Sequence, residues 1–143
     1  MNKEERILGI DYGTKRIGIA MSDPLGIFAI PLETVKRKNI KKVLQALLTQ
    51  YDVTCIVVGN PLRTDGKRGK REEEVEEFVE QIREEITVTI ELWDERFSTI
   101  EAEHVMRDKG EKPSRNKEKV DKIAASLILQ SYLDYKKGEK NTA

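Results

Sequence analysis

Between Arg6 and Asp23 the apolar residues come in two short runs, Ile7-Leu8-Gly9-Ile10 and Ile17-Gly18-Ile19-Ala20-Met21, with Tyr12 to Lys15 turning the chain between them. The pattern predicts a β-hairpin whose first strand stops at Asp11. Ile27–Val35 is a third β-branched run. Pro31 inside it points to an edge or bulge, because proline donates nothing to a ladder. Asn39 is a candidate cap for a helix in which Ile40, Val43, Leu44, Leu47 and Leu48 recur at helical spacing. Val53–Gly59 is continuously apolar, as expected of a central parallel strand covered on both sides.

The second half repeats the alternation of helix and strand. Val75, Phe78, Val79 and Ile82 give Glu72–Glu85 one apolar helical face, and Val88, Ile90 and Leu92 alternate with Thr89, Glu91 and Trp93 in a fifth strand that ends at Asp94-Glu95-Arg96. Ser98 with Glu101 is a capping box for a short helix through about Met106. A last helix is expected from Glu118 to about Lys136, burying Val120, Ala124, Leu127, Ile128 and Ser131, with Asp121 in its first turn. The expected fold is α/β. Three antiparallel strands precede two parallel ones in a five-stranded mixed sheet, with the first strand central and helices on both faces. One domain over residues 1–138 accounts for the pattern, and the polar residues 139–143 read as a frayed tail.

Composition changes this picture in two places. Lys plus Arg and Asp plus Glu each number 26, so net charge alone gives no argument for a nucleic-acid partner. The distribution does. Asn60–Arg71 carries Arg63, Lys67, Arg68, Lys70 and Arg71 against Asp65, a net of +4, and Arg107–Lys119 has six basic residues against three acidic, a net of +3. Between them Glu72–Glu85 sets eight glutamates against one arginine, so the neutral total conceals a polarised molecule. The single cysteine, Cys55, sits in an apolar strand and excludes an intrachain disulfide. A charged N-terminus and the lack of any apolar run near the roughly 20 residues of a membrane span predict a cytoplasmic protein with no membrane partner.

In an open sheet of this kind, sites form outside the carboxyl ends of the parallel strands. Asp11 ends the first strand and Asp94-Glu95 the fifth, while Asp121 can reach the same rim because Ala124 and Ala125 let the last helix approach closely. Three converging acids suit a hard cation. Mg²⁺ takes oxygen ligands and is commonly shared between carboxylates and phosphate, and two such ions about 4 Å apart can activate a water and stabilise a leaving oxygen. The basic loops then clasp the phosphates, with Arg63, Lys67, Arg68, Lys70 and Arg71 from one and Arg115 and Lys117 from the other. Lys15 and Arg16 in the hairpin turn, and Arg96, complete the expected nucleic-acid contacts.

Simpler roles stand beside these. Asp11 also suits a bond to the amides of its own turn, and an acid in a first helical turn, such as Asp121, is favoured by the helix dipole without any ligand. Strand alternation puts Asp94 and Glu95 on opposite faces and leaves open which of them turns inward. Ser98 is better read as a cap than as a nucleophile, and His104 as a solvated helix residue. Tyr12 and Trp93 fit core packing better than base stacking.

Asp-Tyr-Gly-Thr-Lys-Arg-Ile-Gly-Ile-Ala from Asp11, Val-Val-Gly-Asn-Pro from Val57, Asp-Glu-Arg-Phe-Ser-Thr from Asp94 and Val-Asp-Lys-Ile-Ala-Ala-Ser-Leu-Ile-Leu-Gln from Val120 resemble, in order, the motifs of the YqgF (RuvX) family. That family is similar to the RuvC resolvases and has the RNase H fold. Its usual Gly-Leu-Pro is here Gly-Asn-Pro, a departure outside the acids. The resemblance implies a metal-dependent nuclease using Mg²⁺ or Mn²⁺ at a two-metal site. Asp11, Glu95 and Asp121 are its catalytic and metal-binding acids, so the resemblance favours Glu95 over Asp94. Family members are described both as Holliday-junction resolvases and as nucleases that mature the precursor of small-subunit (16S) ribosomal RNA, and the resemblance leans to the latter. Two other readings compete with this one. One is a phosphate binder of the actin and sugar-kinase type, which also opens on Asp-x-Gly-Thr. The other is a nucleic-acid binder without catalysis, disfavoured because carboxylates repel phosphate unless a cation intervenes.

Overall fold

The computed structural model describes residues 4–13, 15–60, 69–94 and 117–142. Its five strands are β1 (Glu5–Tyr12), β2 (Arg16–Ser22), β3 (Ala29–Lys36), β4 (Asp52–Asn60) and β5 (Thr89–Asp94), and its helices are α1 (Ile40–Gln50), α2 (Lys70–Glu85) and α3 (Lys117–Thr142). The sheet order is β3-β2-β1-β4-β5, with β1 central, antiparallel to β2 and parallel to β4, which in turn pairs parallel with β5. This is the mixed sheet expected from the sequence. The short helix expected after Ser98 lies outside the described residues.

Strand alternation divides the core in two. Leu8, Ile10, Ile17, Ile19, Ile56 and Val58 are buried on one face under α1 and α2. Ala20, Cys55 and Val57 are buried on the other under Ala125, Ile128, Leu129, Tyr132 and Leu133 of α3. Burying large aliphatic side chains completely, at about 1.5–3 kcal/mol each, makes a one-residue register slip prohibitive, since it would turn every one of them to the opposite face. Pro31 lies where expected, in the edge strand β3 at an irregularity in the β2–β3 ladder.

Three local details differ from the sequence reading. Asn39 makes no capping bond; a 3₁₀ turn over Arg37–Asn39 leads into α1 instead. The face that α3 turns inward includes Ala125, Leu129, Tyr132 and Leu133, while Leu127 and Ser131 are only half-buried. The cause is Gly9, whose missing side chain lets α3 settle on β1: a Cβ there would lie 2.7 Å from Leu129 Cβ and 3.0 Å from the Ala125 carbonyl. Finally, α3 continues to Thr142, through the segment whose composition suggests a frayed tail.

Two polar anchors fix α3 across the sheet. The Gln130 carboxamide accepts from Ala29 N–H at 2.9 Å and donates to Ile27 O at 2.8 Å, and at the other edge Trp93 Nε1 donates to Ser131 Oγ at 3.1 Å. No helix among the described residues is long and apolar enough to cross a membrane.

Cys55 and Tyr132 meet under α3, Sγ to hydroxyl oxygen 4.0 Å. Burial pushes the Cys55 thiol up, reinforced by the nearby Glu91 carboxylate, and burial likewise pushes the Tyr132 hydroxyl up. Above about pH 8.5, the ordinary thiol value, the unfolded chain therefore releases a proton that the native chain keeps. Stability should fall as pH rises, by up to about 1.4 kcal/mol per unit for each such group. Urea denaturation from neutral to alkaline pH should show this decline, and Cys55→Ala should remove its onset. An identical decline in the variant would assign it elsewhere.

Candidate active site at the carboxyl rim of the sheet

Asp11 is the penultimate residue of β1 and is half-buried. Leu8, Ile10 and Tyr12 occupy the α1/α2 face, so alternation turns Gly9 and Asp11 toward α3. In the β1–β2 ladder Asp11 stands opposite Gly18. Directly above Gly18 passes the first part of α3. A Cβ on Gly18 would lie 2.0 Å from the Asp121 carbonyl oxygen and 2.3 Å from its carbon. Asp121 is thus seated on the strand beside Asp11, and the two acids share a face and a rim although they lie at opposite ends of the chain. Arg16, the first residue of β2, holds Asp121 through Nε to Oδ2 at 3.2 Å, with both side chains largely shielded from solvent.

Other strand ends complete the rim. Asn60 closes β4 and stands opposite Asp94, which closes β5. Val58 and Ile90 are buried on the α1/α2 face, so alternation gives Asn60 and Asp94 that face too, away from Asp11. Asn60 Oδ1 is buried with no hydrogen-bond partner among the described residues. Glu95, the third expected acid, lies outside the described residues, and among those described no three His, Cys, Asp or Glu side chains cluster closely enough to hold a metal ion.

The expected phosphate contacts divide similarly. Lys15 is exposed in the hairpin turn, and Lys70 is exposed at the start of α2. Arg71 reaches the rim, but it donates Nη2 to the Tyr12 carbonyl at 2.9 Å and so ties α2 to the end of β1 next to Asp11. Arg63, Lys67, Arg68, Arg96 and Arg115 lie outside the described residues, as do Ser98, His104 and the side chain of Lys117. Tyr12 and Trp93 are packing residues. Tyr12 lies against Phe78 at 4.5 Å between ring centroids, and Trp93 meets the Tyr132 ring edge-on at 5.3 Å. Sequence reasoning passed over Lys36-Arg37-Lys38, where β3 ends on this same rim. The run itself was readable; its place beside Arg16 depends on the β2–β3 register.

Comparison with known families decides the kinship. The RuvX family, described as Holliday junction resolvase, matches residues 5–135. The chain belongs to the RuvX family. Relatives that bear the name "Putative pre-16S rRNA nuclease" include the following two. The protein of Ruminiclostridium cellulolyticum is 45% identical over 96% of this chain and 99% of its own length, and that of Syntrophus aciditrophicus is 44% identical over 94% and 92%. Among solved structures, Thermus thermophilus RuvC in complex with a Holliday junction substrate superposes with a TM-score of 0.54 at 17% identity, covering 90% of this RuvX chain and 96% of RuvC. Fowlpox virus Holliday junction resolvase superposes with a TM-score of 0.51, also at 17% identity, over 91% and 99%. At such identities the likeness is one of fold, the RNase H-like fold implied by the sequence motifs.

Proposed function

We propose that this protein is a divalent-metal-dependent nuclease that acts in the cytoplasm on the precursor of small-subunit ribosomal RNA. The observation that carries the reading is the seating of Asp121 on Gly18, one strand from Asp11, which brings two half-buried carboxylates to one face of the rim. Carboxylates gathered in this way repel each other and repel phosphate unless a cation lies among them. For Asp121 the Arg16 guanidinium supplies that charge. Hard oxygen donors of this kind suit Mg²⁺ or Mn²⁺, and Asp11 and Asp121 are the residues that would hold them. Glu95 is the third. Its neighbour Asp94 has the parity of buried Ile90, on the face away from Asp11.

The chemistry that Mg²⁺ or Mn²⁺ supplies when bound there is activation of an attacking water and stabilisation of the leaving oxygen. Asp11 and Asp121 would hold that ion and, through it, set the position of the reacting phosphodiester. Arg16, now paired with Asp121, would be available to a phosphate if Asp121 held a cation instead, and a guanidinium is well shaped for that contact. Arg16→Gln should therefore bind Mn²⁺ several-fold more tightly in calorimetry, because a competing positive charge is gone, while binding RNA more weakly. Unchanged or weaker Mn²⁺ binding would show that Arg16 does not compete for Asp121.

The choice of ribosomal RNA rests on the names of relatives that match nearly end to end; the family's own description supports the second reading, a resolvase acting on four-way DNA. Incubating the purified protein with precursor 16S RNA and with a four-way DNA junction, each with Mg²⁺ and with chelator, separates the two. Metal-dependent cleavage of the RNA is expected. Faster cutting of the junction would overturn the choice of substrate, and cutting of neither would overturn the nuclease.

A further inference from the structure

Beside the acids, but outside both basic loops, the rim carries a groove of ≈ 540 Å³ lined, among the described residues, by Lys15, Arg16, Lys36, Arg37 and Lys38 with Thr34 and Val35. Its parts come from three places in the chain: the β1–β2 turn, the end of β3 and the 3₁₀ turn that follows. Arg16 and Lys36 are direct cross-strand partners, and like charges so placed disfavour folding. Among the described residues the groove's lining includes no acid, and of its five cations Arg16 is paired from outside the lining, by Asp121. Arg37 is held in place by stacking its guanidinium 5.0 Å above the Tyr12 ring, next in the chain to Asp11, while Lys15, Lys36 and Lys38 are exposed. A positively charged concavity with one fixed guanidinium and three exposed ammonium groups has the character of a polyanion site.

We infer that this groove binds the sugar-phosphate backbone of the nucleic acid substrate on the β3 side of the cleavage site, an inference that rests on the nuclease reading above. The geometry sets the distance. The groove's outer wall on β3 is two strands from β1, roughly 10 Å at the ordinary strand spacing, or about three base steps at 3.4 Å each. Lys70, exposed at the start of α2, where the next residue Arg71 bonds the Tyr12 carbonyl beside Asp11, would supply a further cation on the α2 side. The backbone is then held on both flanks of the bond to be cut. Arg16 links the two tasks, since it lines the groove and also pairs with Asp121.

The test compares binding of a short fluorescent RNA by the wild type, by Lys36→Gln/Lys38→Gln and by a charge control, Lys136→Gln/Lys137→Gln. The control residues line a pocket at the opposite rim with Glu5 and Arg6. Affinities measured across roughly 50 to 200 mM salt should give the groove variant a salt slope shallower by about 1.4 to 1.8, the loss of two phosphate contacts. The control should keep the wild-type slope. A hydroxyl-radical footprint should shorten on one side only of the cleavage site. A groove variant with the wild-type slope, or a control flattened equally, would overturn the inference while leaving the nuclease reading intact. A wild type whose binding has no salt dependence would overturn both.

Discussion

Asp11→Asn is expected to slow phosphodiester cleavage in Mg²⁺ by roughly a hundredfold or more, because losing several kcal/mol of charge stabilisation costs tenfold for each ~1.4 kcal/mol. The amide keeps the shape of the side chain and can still accept a bond from the turn, so a merely structural Asp11 would tolerate the change. Folding stability should match the wild type or exceed it, since a half-buried negative charge near Asp121 disappears. Single-turnover cleavage and urea denaturation on the same preparation check both halves. Cleavage at the wild-type rate would remove Asp11 from the mechanism, and a large loss of stability would return it to the turn.

Among the described glycines, Gly18 has the closest obstruction to an added methyl group, so Gly18→Ala should be strongly damaging. The three atoms nearest the new Cβ are all backbone, Asp121 O at 2.0 Å, Asp121 C at 2.3 Å and Lys122 N at 2.9 Å, so the closest clashes cannot be relieved by a side chain swinging aside. The first part of α3 must lift from β2 and carry Asp121 away from Asp11. Overpacking of this kind costs about 1–3 kcal/mol, and the displacement acts on cleavage as well. Gly9→Ala is the matched comparison. It meets Leu129 Cβ at 2.7 Å and the Ala125 carbonyl at 3.0 Å, farther along α3, so it should lower stability while sparing more of the activity. Neither glycine has a positive φ, so space alone is tested. If Gly18→Ala cleaves as well as Gly9→Ala at temperatures where both are folded, the seating of Asp121 does not matter to the chemistry.

The contrast between these glycines also shows what could be read from the sequence. The three-strand meander, the buried β4 and the helical faces of α1 and α2 were legible because each is a local pattern of period two, a continuous run, or helical spacing. Asp11 stood out as an acid closing an apolar strand. The inward face of α3 was not legible in the same way, because it is set by where Gly9 and Gly18 leave room on a sheet more than a hundred residues earlier. Arg71 looked like a free loop cation; its bond to the Tyr12 carbonyl exists only once α2 lies beside the end of β1. Lys36-Arg37-Lys38 drew no reading from the sequence, because its place against Arg16 depends on the β2–β3 register. Of the two adjacent acids, Asp94 closes β5 with the parity of buried Ile90, while Glu95, which the motif resemblance favours, lies outside the described residues.

The most direct measurement is the anomalous diffraction of Mn²⁺ in crystals of the protein, collected at a metal concentration that supports cleavage. The account expects manganese at the carboxyl rim, within about 2.2 Å of carboxylate oxygens of Asp11, Asp121 and Glu95, with Arg16 released from Asp121. Manganese bound by Asp94 instead, or no ion in contact with Asp11 under conditions in which the protein cuts RNA, would contradict it.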